Sequence, residues 1–328
     1  MLDRRQFLSS LALLHPTMRA LAKCLVPGLQ IRNGRRRQTS NIFLHNGRPL
    51  LISVEGNNVG QMLTAGLDRL PQLEGALNRK HVLVKPNATA SEPYPVTTDV
   101  ALLKAVVRYL RRAGAARITI CDSSSFAGFS NDRVFRKLGY FTLAEEESVG
   151  ATAVDSQVGS EYVRVSNADW RANNFLMTDR LVNEADFVIN LAIPKRHHAA
   201  DFSCALKNNF GCTYGTFRML AHVRGGEFFD NALVEFADAV RPNLTIVDAR
   251  SILAKAGPSF QIGKSEIVAA HQMVFSGDMV AADSYCGRLM ENLDPTFTAG
   301  ERLQRQLKYA QSLGLGEPNP AKVEMLEI

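Results

Sequence analysis

The sequence lacks the features that identify several common classes of protein. None of its five cysteines forms a Cys-x-x-Cys pair with another, so a zinc ribbon and a ferredoxin-type cluster are unsupported. An odd, sparse set of cysteines does not indicate a disulfide framework either. Uninterrupted apolar runs of ~18 residues are also missing, which predicts no stable membrane insertion. With 46% apolar and 21% charged residues, the 328-residue chain has the composition of a globular protein rather than a disordered one.

A surplus of positive charge is confined to the N-terminal part of the chain. Lysine and arginine outnumber aspartate and glutamate by 38 to 32, but residues 1–37 hold eight basic side chains against one acid. The remaining residues, with 30 basic and 31 acidic side chains, carry a net charge of −1. A groove for nucleic acid needs basic residues concentrated on the folded body. The charge distribution therefore predicts no nucleic-acid partner.

Residues 1–40 are interpreted as a basic leader. Arg4 and Arg5 precede a short apolar stretch at residues 7–14, which resembles a twin-arginine export signal. Residues 20–22, Ala-Leu-Ala, offer a site for a signal peptidase. This pattern predicts a periplasmic or otherwise exported protein. The alternative is a basic leader in which the arginine pair is accidental, and the protein is then cytoplasmic.

The rest of the chain, residues 41–328, alternates short apolar runs with helical patterns. Continuous apolar runs typical of buried parallel strands occur at residues 82–84, 118–121, 187–193 and 244–247. Apolar residues at helical spacing occur at residues 102–110, 230–240, 279–290 and 299–313. The predicted fold is α/β, with mostly parallel sheets flanked by helices. If the body divides into two lobes, the seam is expected near residues 145–180, and the tail after Leu313 is expected to be loosely held.

Polar side chains follow the first predicted strand, where ligands bind in parallel α/β sheets. Lys85 and Asn87 come directly after this strand, and Thr97, Thr98 and Asp99 lie at the start of the next helix. A lysine near a helix N-terminus can bind an anion or a cofactor phosphate. The alternative is that Thr97, Thr98 or Asp99 only caps the helix.

A second polar run, Asp122-Ser123-Ser124-Ser125, ends the next predicted strand. Ser123 and Ser124 are candidate ligands for the same cofactor or substrate, or they form a turn with their own backbone. Further along the chain, Asp283 lies on an otherwise apolar helix. We expect it either to pair with a basic residue of the site or to lie on the surface.

The densest polar cluster follows the apolar run that ends at Ile193. It contains His197, His198 and Lys207, and His222 comes shortly after it. An imidazole serves as a general base or as a metal ligand, and a lysine can form a covalent adduct or hold a phosphate. Several such groups at one strand end favour a functional site over the alternative of a solvated surface loop.

Six motifs occur in an order that resembles one known family. They are Val-Leu-Val-Lys-Pro-Asn, Pro-x-Thr-Thr-Asp, Asp-Ser-Ser-Ser, Ala-Leu-Lys-Asn-x-Phe-Gly, Val-Arg-Pro-Asn-Leu-Thr-Ile-Val-Asp-Ala and Gly-Asp-x-Val-Ala-Ala-Asp. The family is called domain of unknown function 362, and the resemblance covers residues 50–315. Many members also carry a ferredoxin-like cluster domain, which this chain lacks.

A more distant resemblance points to the lactate racemases. The stretch from Ile193 through His197, Lys207 and His222 is similar to theirs in residue types and spacing. The resemblance implies a lactate-racemase-like fold, with His197 as catalytic base and Lys207 as anchor of a nickel pincer nucleotide. His222 would be the nickel ligand. The chain departs from that pattern where residues 204–206, Cys-Ala-Leu, replace Gly-Gly-Arg, and where residues 122–125 replace a second histidine base.

Together these observations predict an enzyme that acts on a small anionic metabolite. The resemblance implies racemase or epimerase chemistry on a 2-hydroxy acid, or redox chemistry, with a lysine-anchored or metal cofactor. His197, His198 and Lys207 are the candidate catalytic residues, and His197 and His222 are the candidate ligands for nickel or another metal. The alternative is a non-catalytic redox accessory protein that binds a metal or an anion. The oligomeric state stays open.

Overall fold

The computed structural model describes residues 32–37, 39–124, 131–154 and 161–328. Most of the predicted leader, including the twin-arginine pattern and the cleavage site, lies outside the described residues. Ser125, the last serine of the second polar run, also lies outside them.

Strands and helices alternate along the described ranges. The strands are β1 (Arg32–Asn33), β2 (Leu44–His45), β3 (Arg48–Glu55), β4 (His81–Lys85), β5 (Arg117–Asp122), β6 (Gly150–Ala153), β7 (Tyr162–Val165), β8 (Leu176–Asp179), β9 (Phe187–Ala192), β10 (Lys195–His197), β11 (Asp201–Ser203), β12 (Leu244–Ala254), β13 (Glu266–Ser276) and β14 (Glu324–Glu327). The helices are α1 (Val59–Leu67), α2 (Leu73–Leu77), α3 (Val100–Arg112), α4 (Asn131–Lys137), α5 (Tyr140–Glu146), α6 (Arg180–Glu184), α7 (Ala205–Asn208), α8 (Gly215–Arg224), α9 (Gly226–Val240), α10 (Met279–Leu293) and α11 (Glu301–Ser312). Single 3₁₀ turns occur at Asn209–Cys212 and Pro320–Lys322.

Five neighbouring strands of the main sheet run parallel, in the order β12, β9, β4, β5 and β6. Beyond β12 the sheet continues through β13, which is antiparallel to both of its neighbours, to β3 and β14. A hairpin of β10 and β11 attaches to β12 through β10. Every residue of β9 is buried, as expected for a strand covered on both faces. The predicted α/β fold with mostly parallel sheets flanked by helices is confirmed.

Two hydrophobic cores lie on opposite faces of this sheet. Val82 and Val84 of β4 pack with helices α1 to α5, whereas Leu83 between them packs with helices α6 to α11. This alternation follows from the two-residue period of a strand. None of the helices in the described ranges is long and apolar enough to cross a bilayer.

Helix α3 shows how the local sequence sets an element. Its apolar residues recur every three to four positions and are buried, so one stripe faces the sheet. The Asp99 carboxylate accepts a hydrogen bond from the N–H of Ala101, which makes Asp99 the cap among the three candidates. Arg111 and Arg112 lie in the last turn, where positive charge is favourable. The other three predicted helices are confirmed as α9, α10 and α11.

The tail after Leu313 is ordered against the sheet, so the expectation of a loosely held tail is wrong. It forms β14, which pairs in parallel with β3. The N–H of Ile328 donates to the carbonyl of Ser53 at 2.9 Å. The tail thereby covers an edge of the main sheet that would otherwise expose unpaired backbone groups.

Residues 32–37 belong to the folded body, although the sequence pattern places them in the leader. β1 pairs in parallel with β7, which is itself antiparallel to β8, and the three form a small separate sheet. Arg36 donates two hydrogen bonds of 2.8 Å to the buried carboxylate of Asp238. The body therefore extends to Arg32 at least. Strands β6, β7 and β8 fall within the range where a seam is expected, and the division into two lobes stays a prediction.

Candidate active site at the ends of the parallel strands

One cavity lies at the carboxyl ends of β4 and β5. Its lining within the described residues is Lys85, Asn87, Ala88, Thr89, Asp122, Ser123, Lys195, His197, Ser203, Lys207, Asn208, Phe210, Gly211, Arg218, His222 and Pro258. The cavity has a volume of ≈ 40 Å³, which is room for a molecule of a few heavy atoms. His197, Lys207 and His222, far apart in the sequence, all border this one space.

A buried ion pair forms the floor of the cavity. Because β4 and β5 are parallel neighbours, their last residues, Lys85 and Asp122, reach the same edge of the sheet. Lys85 Nζ lies 2.7 Å from Asp122 Oδ1, and the second oxygen accepts the N–H of Ala88 at 2.8 Å. Burial raises the pKa of Asp122, while Lys85 opposes that shift. The charges of this pair largely cancel.

Glycine at position 211 allows the 3₁₀ turn to approach that ion pair. A Cβ added to Gly211 would lie 1.8 Å from Asp122 Oδ1, far inside van der Waals contact. Any other residue would force the turn or the ion pair to move. Close packing against the ion pair therefore explains why the Ala-Leu-Lys-Asn-x-Phe-Gly motif ends in glycine.

The hairpin of β10 and β11 supplies three further side chains. Lys195 and His197 are two residues apart on β10 and so point to the same face, and Ser203 stands opposite Lys195 on β11. Lys195 Nζ donates to Asn87 Oδ1 at 3.1 Å and to the carbonyl of Val96. Burial, and then the charge of Lys207, lower the pKa of Lys195 to about 7. Lys195 is thus a fixed part of the cavity wall.

Lys207 differs from the other lysines because its amine has no hydrogen bond or ion pair with any residue that the structure describes. Its Nζ lies 4.7 Å from the centroid of the Phe210 ring. The pKa of Lys207 is lowered to about 7, mainly by burial and further by the charges of Arg218 and Lys85. An appreciable fraction of this amine is therefore neutral at neutral pH.

Asp283 holds the short helix that carries Lys207. Its buried carboxylate accepts hydrogen bonds from the N–H groups of Ala205 and Leu206, the first two residues of α7. Neither expectation for Asp283, pairing with a basic residue or a surface position, is therefore correct. The carboxylate instead satisfies backbone donors at the start of α7.

The two cavity histidines carry their protons on different nitrogens. His197 Nδ1 accepts the N–H of Ala199 at 3.0 Å, so neutral His197 has its proton on Nε2 and donates from it. His222 Nδ1 lies 2.7 Å from the carbonyl oxygen of Arg218, which can only accept. The proton of neutral His222 is therefore on Nδ1, and its Nε2 has the lone pair.

Both imidazoles are neutral at neutral pH. Burial, and then the charge of Lys207, lower the pKa of His222 to about 4. The same two causes lower the pKa of His197 well below its ordinary value. Their ring centroids are 6.2 Å apart.

Six of the ten residues that the sequence singles out line the cavity, and four do not. Those that line it are Lys85, Asn87, Ser123, His197, Lys207 and His222. His198 is exposed and stacks on the outer side of His197, with centroids 4.9 Å apart. Thr97 donates to the carbonyl of Glu92, and Thr98 accepts the N–H of Asn87, so both shape the loop after β4. Ser124 bonds to the side chain of Asn131.

Sequence reasoning did not select several residues of the cavity wall. Lys195 could have been found, because it lies two residues before His197 in an extended segment and shares its face. Arg218 could also have been found, since it precedes His222 by one helical turn on the same side of α8. Pro258 carries no such signal, because only the path of the chain brings its loop to the cavity.

The residues present do not fit a metal ion alone or a pincer nucleotide. No group of three or more histidine, cysteine, aspartate or glutamate side chains able to hold a metal occurs in the described part of the chain. The two predicted ligands, His197 and His222, are thus insufficient by themselves. Ala205 and Leu206, the two residues before Lys207, are buried. A nucleotide is larger than the enclosed space of the cavity.

Comparison with known proteins identifies relatives that match most of the chain. The model of the family described as domain of unknown function (DUF362) matches residues 82–288. A thylakoid-associated protein of Synechocystis sp. is 30% identical over 265 residues, which cover 77% of this chain and 78% of that protein.

Two solved structures are similar to this chain at a greater distance. The lactate racemase apoprotein of Thermoanaerobacterium thermosaccharolyticum is 15% identical over 74% of this chain, with a TM-score of 0.38. A crystal structure of a protein from Thermotoga maritima is 13% identical over 72% of this chain, with a TM-score of 0.44. The matches span 58% of each of those two chains. The family match and the relative at 30% identity, each covering most of the chain, show that this protein belongs to the DUF362 family.

Proposed function

We propose that this protein is an enzyme that binds a small anionic metabolite in the cavity and transfers a proton next to the anionic group, an isomerase-type reaction. The observation that carries this proposal is the Lys207 amine, which borders the cavity without a hydrogen-bond partner in the described ranges. Lysine amines that are desolvated and beside other cations are the ones that act as nucleophiles or bases.

The charge of the lining supports an anionic ligand. Four basic side chains, Lys85, Lys195, Lys207 and Arg218, face the cavity against one acid among the described lining residues, Asp122. Because burying excess charge of one sign is costly, a bound anion stabilises this arrangement. The donors His197 Nε2 and the hydroxyl group of Ser203 add hydrogen bonds suited to a carboxylate or phosphate.

The titration of the side chains supports acid–base chemistry. A general acid or base works best when its pKa is near the operating pH, and the pKa of Lys207 is about 7. His222 presents a neutral imidazole with its lone pair on Nε2, which suits a base. His197, which the resemblance to lactate racemases assigns as the base, is better suited to donate a hydrogen bond to the anion.

Binding and turnover of simple probes test the proposal. Isothermal titration calorimetry with inorganic phosphate and with L-lactate would compare the wild-type protein with Lys207→Met and with the exposed-lysine control Lys308→Met. Losing one charge-assisted hydrogen bond is worth ~1.5–3 kcal/mol, so we expect roughly 10–100-fold weaker binding in Lys207→Met only. Equal affinity in all three proteins, or no binding at all, would reject the site.

A second measurement distinguishes catalysis from non-catalytic binding. Proton NMR in D₂O would follow deuterium incorporation at C2 of lactate and at the methyl group of pyruvate. Binding without exchange in any small hydroxy or oxo acid would favour an anion-binding accessory protein.

For the location, we propose export by the twin-arginine route, which rests on residues 1–22.

A further inference from the structure

Lys207 borders the cavity between two fixed groups of the protein. Asp283 fixes the first turn of α7, and the Phe210 ring lies under the Lys207 ammonium at 4.7 Å. Lys85 and Lys195, the other two lysines of the lining, are tied to fixed partners. Only Lys207, among the lysines of the described lining, has its amine available to react.

The surroundings of this amine favour its neutral form. Arg218 and Lys85 repel a further positive charge, and burial removes part of its hydration. A neutral amine is the nucleophile that adds to carbonyl groups. The donors around it bind a carboxylate, and the narrow cavity limits the rest of the molecule to a few heavy atoms.

We propose that the substrate class of this site is the small 2-oxo acids and that Lys207 forms an imine with their carbonyl carbon. This inference rests on the proposed function, since the same cationic lining holds the carboxylate. The Nζ lone pair adds to the carbonyl carbon, and the carbonyl oxygen, with two protons, leaves as water. The C=N bond that forms replaces the C=O bond, so no oxidant or reductant is needed.

The imine accounts for the proton transfer of the proposed function. Once protonated, it withdraws electrons from the neighbouring carbon, whose proton then becomes removable by a neutral imidazole. His222 and Lys207 both lie beside the Phe210 ring, and the ring centroids of His222 and Phe210 are 5.8 Å apart. The lone pair of the His222 imidazole is on Nε2. Return of the proton and hydrolysis by water restore the amine.

Reductive trapping tests the inference directly. The full chain is incubated with glyoxylate or pyruvate and sodium cyanoborohydride, which reduces an imine to a stable secondary amine, and the adduct is located by peptide mass mapping. About half of an amine of pKa ~7 is neutral at pH ~7, against less than roughly 10⁻³ for an ordinary lysine. Allowing for the lower nucleophilicity of a weaker base, we expect labelling of Lys207 to be faster than that of Lys308 by on the order of 10²-fold.

Two further measurements make the outcome decisive. Lys207→Arg should abolish this label, and excess phosphate should slow labelling of the wild-type protein. Labelling spread evenly over surface lysines, or centred on Lys195, would overturn the imine. Mapping in the wild-type protein does not depend on the variant folding. Phosphate bound without any adduct rejects the imine alone, whereas absence of phosphate binding rejects the proposed function itself.

Discussion

Replacing Lys207 by methionine should stabilise the protein at neutral pH while it weakens anion binding. In the folded protein the pKa of Lys207 is lowered from 10.5 to about 7. At ~1.4 kcal/mol per pH unit this difference corresponds to ~5 kcal/mol at most. The side chain is partly exposed, so water screens part of the effect, and we expect a gain of ~2 kcal/mol in the free energy of unfolding. Methionine keeps the length of the side chain and its contact with the Phe210 ring.

The pH dependence of that gain separates a charge effect from a packing effect. Between about pH 7 and about pH 10.5 the unfolded chain keeps a proton on Lys207 that the folded protein has released. The stability of the wild-type protein therefore rises with pH across this window, and Lys207→Met lacks this contribution. Consequently the advantage of Lys207→Met should be largest near pH ~7 and should shrink to less than half by about pH 9.5.

Urea unfolding at both pH values, with phosphate-free buffers, measures this difference. Lys195 titrates in the same range, and because the charge of Lys207 helps to lower its pKa, part of the gain in Lys207→Met comes through Lys195. The control Lys308→Met removes an exposed lysine of α11 and should change stability by no more than ~0.5 kcal/mol at either pH. A gain that is the same at both pH values, or a less stable Lys207→Met, would refute the electrostatic account of the cavity.

Three other predictions follow from the cavity floor and the leader. Lys85→Met leaves Asp122 buried without its partner and should lower the free energy of unfolding by ~3–5 kcal/mol in urea titrations. Adding Asp122→Leu to this variant should recover most of the loss. An unchanged unfolding midpoint in Lys85→Met would contradict the pairing. Gly211→Ala should lower the free energy of unfolding by ~1–3 kcal/mol and weaken phosphate binding, because the added Cβ would collide with the Asp122 carboxylate. A variant that melts and binds phosphate as the wild-type protein does would show that the turn has room for a side chain. Arg4→Lys combined with Arg5→Lys should retain the protein in the cytoplasm on cell fractionation, and a distribution identical to wild type would reject export.

The elements most readily predicted were those whose pattern is local. The apolar runs of β4, β5, β9 and β12 are continuous because both faces of the sheet are covered, and α3 shows its buried stripe and its capping residue within fifteen positions. The tail was misjudged for a complementary reason. Its proline and glycine residues indicate a loop locally, but the free edge of β3 provides a partner that no local pattern reveals.

In the candidate site, too, some features could be predicted from local sequence and others depended on tertiary contacts. Residues at strand ends could be selected because the carboxyl ends of parallel strands converge, and this rule found Lys85, His197 and Lys207. It also selected His198, which follows β10 in a turn, stacks on His197 and is exposed. The proton positions on the two cavity histidines depend on which backbone group each ring contacts, and that information is not contained in spacing.

The sequence by itself determined the fold class and the region of the site, because hydrophobic periodicity and strand-end chemistry act over short distances along the chain. Only the tertiary structure decided that Lys207 lacks a partner among the described residues while Lys85 and Lys195 have theirs. It also decided that Asp283 caps α7 instead of pairing with a cation. The physical reason is that charge, hydration and hydrogen bonding in a cavity depend on distances between residues that are remote in sequence, and folding alone sets those distances.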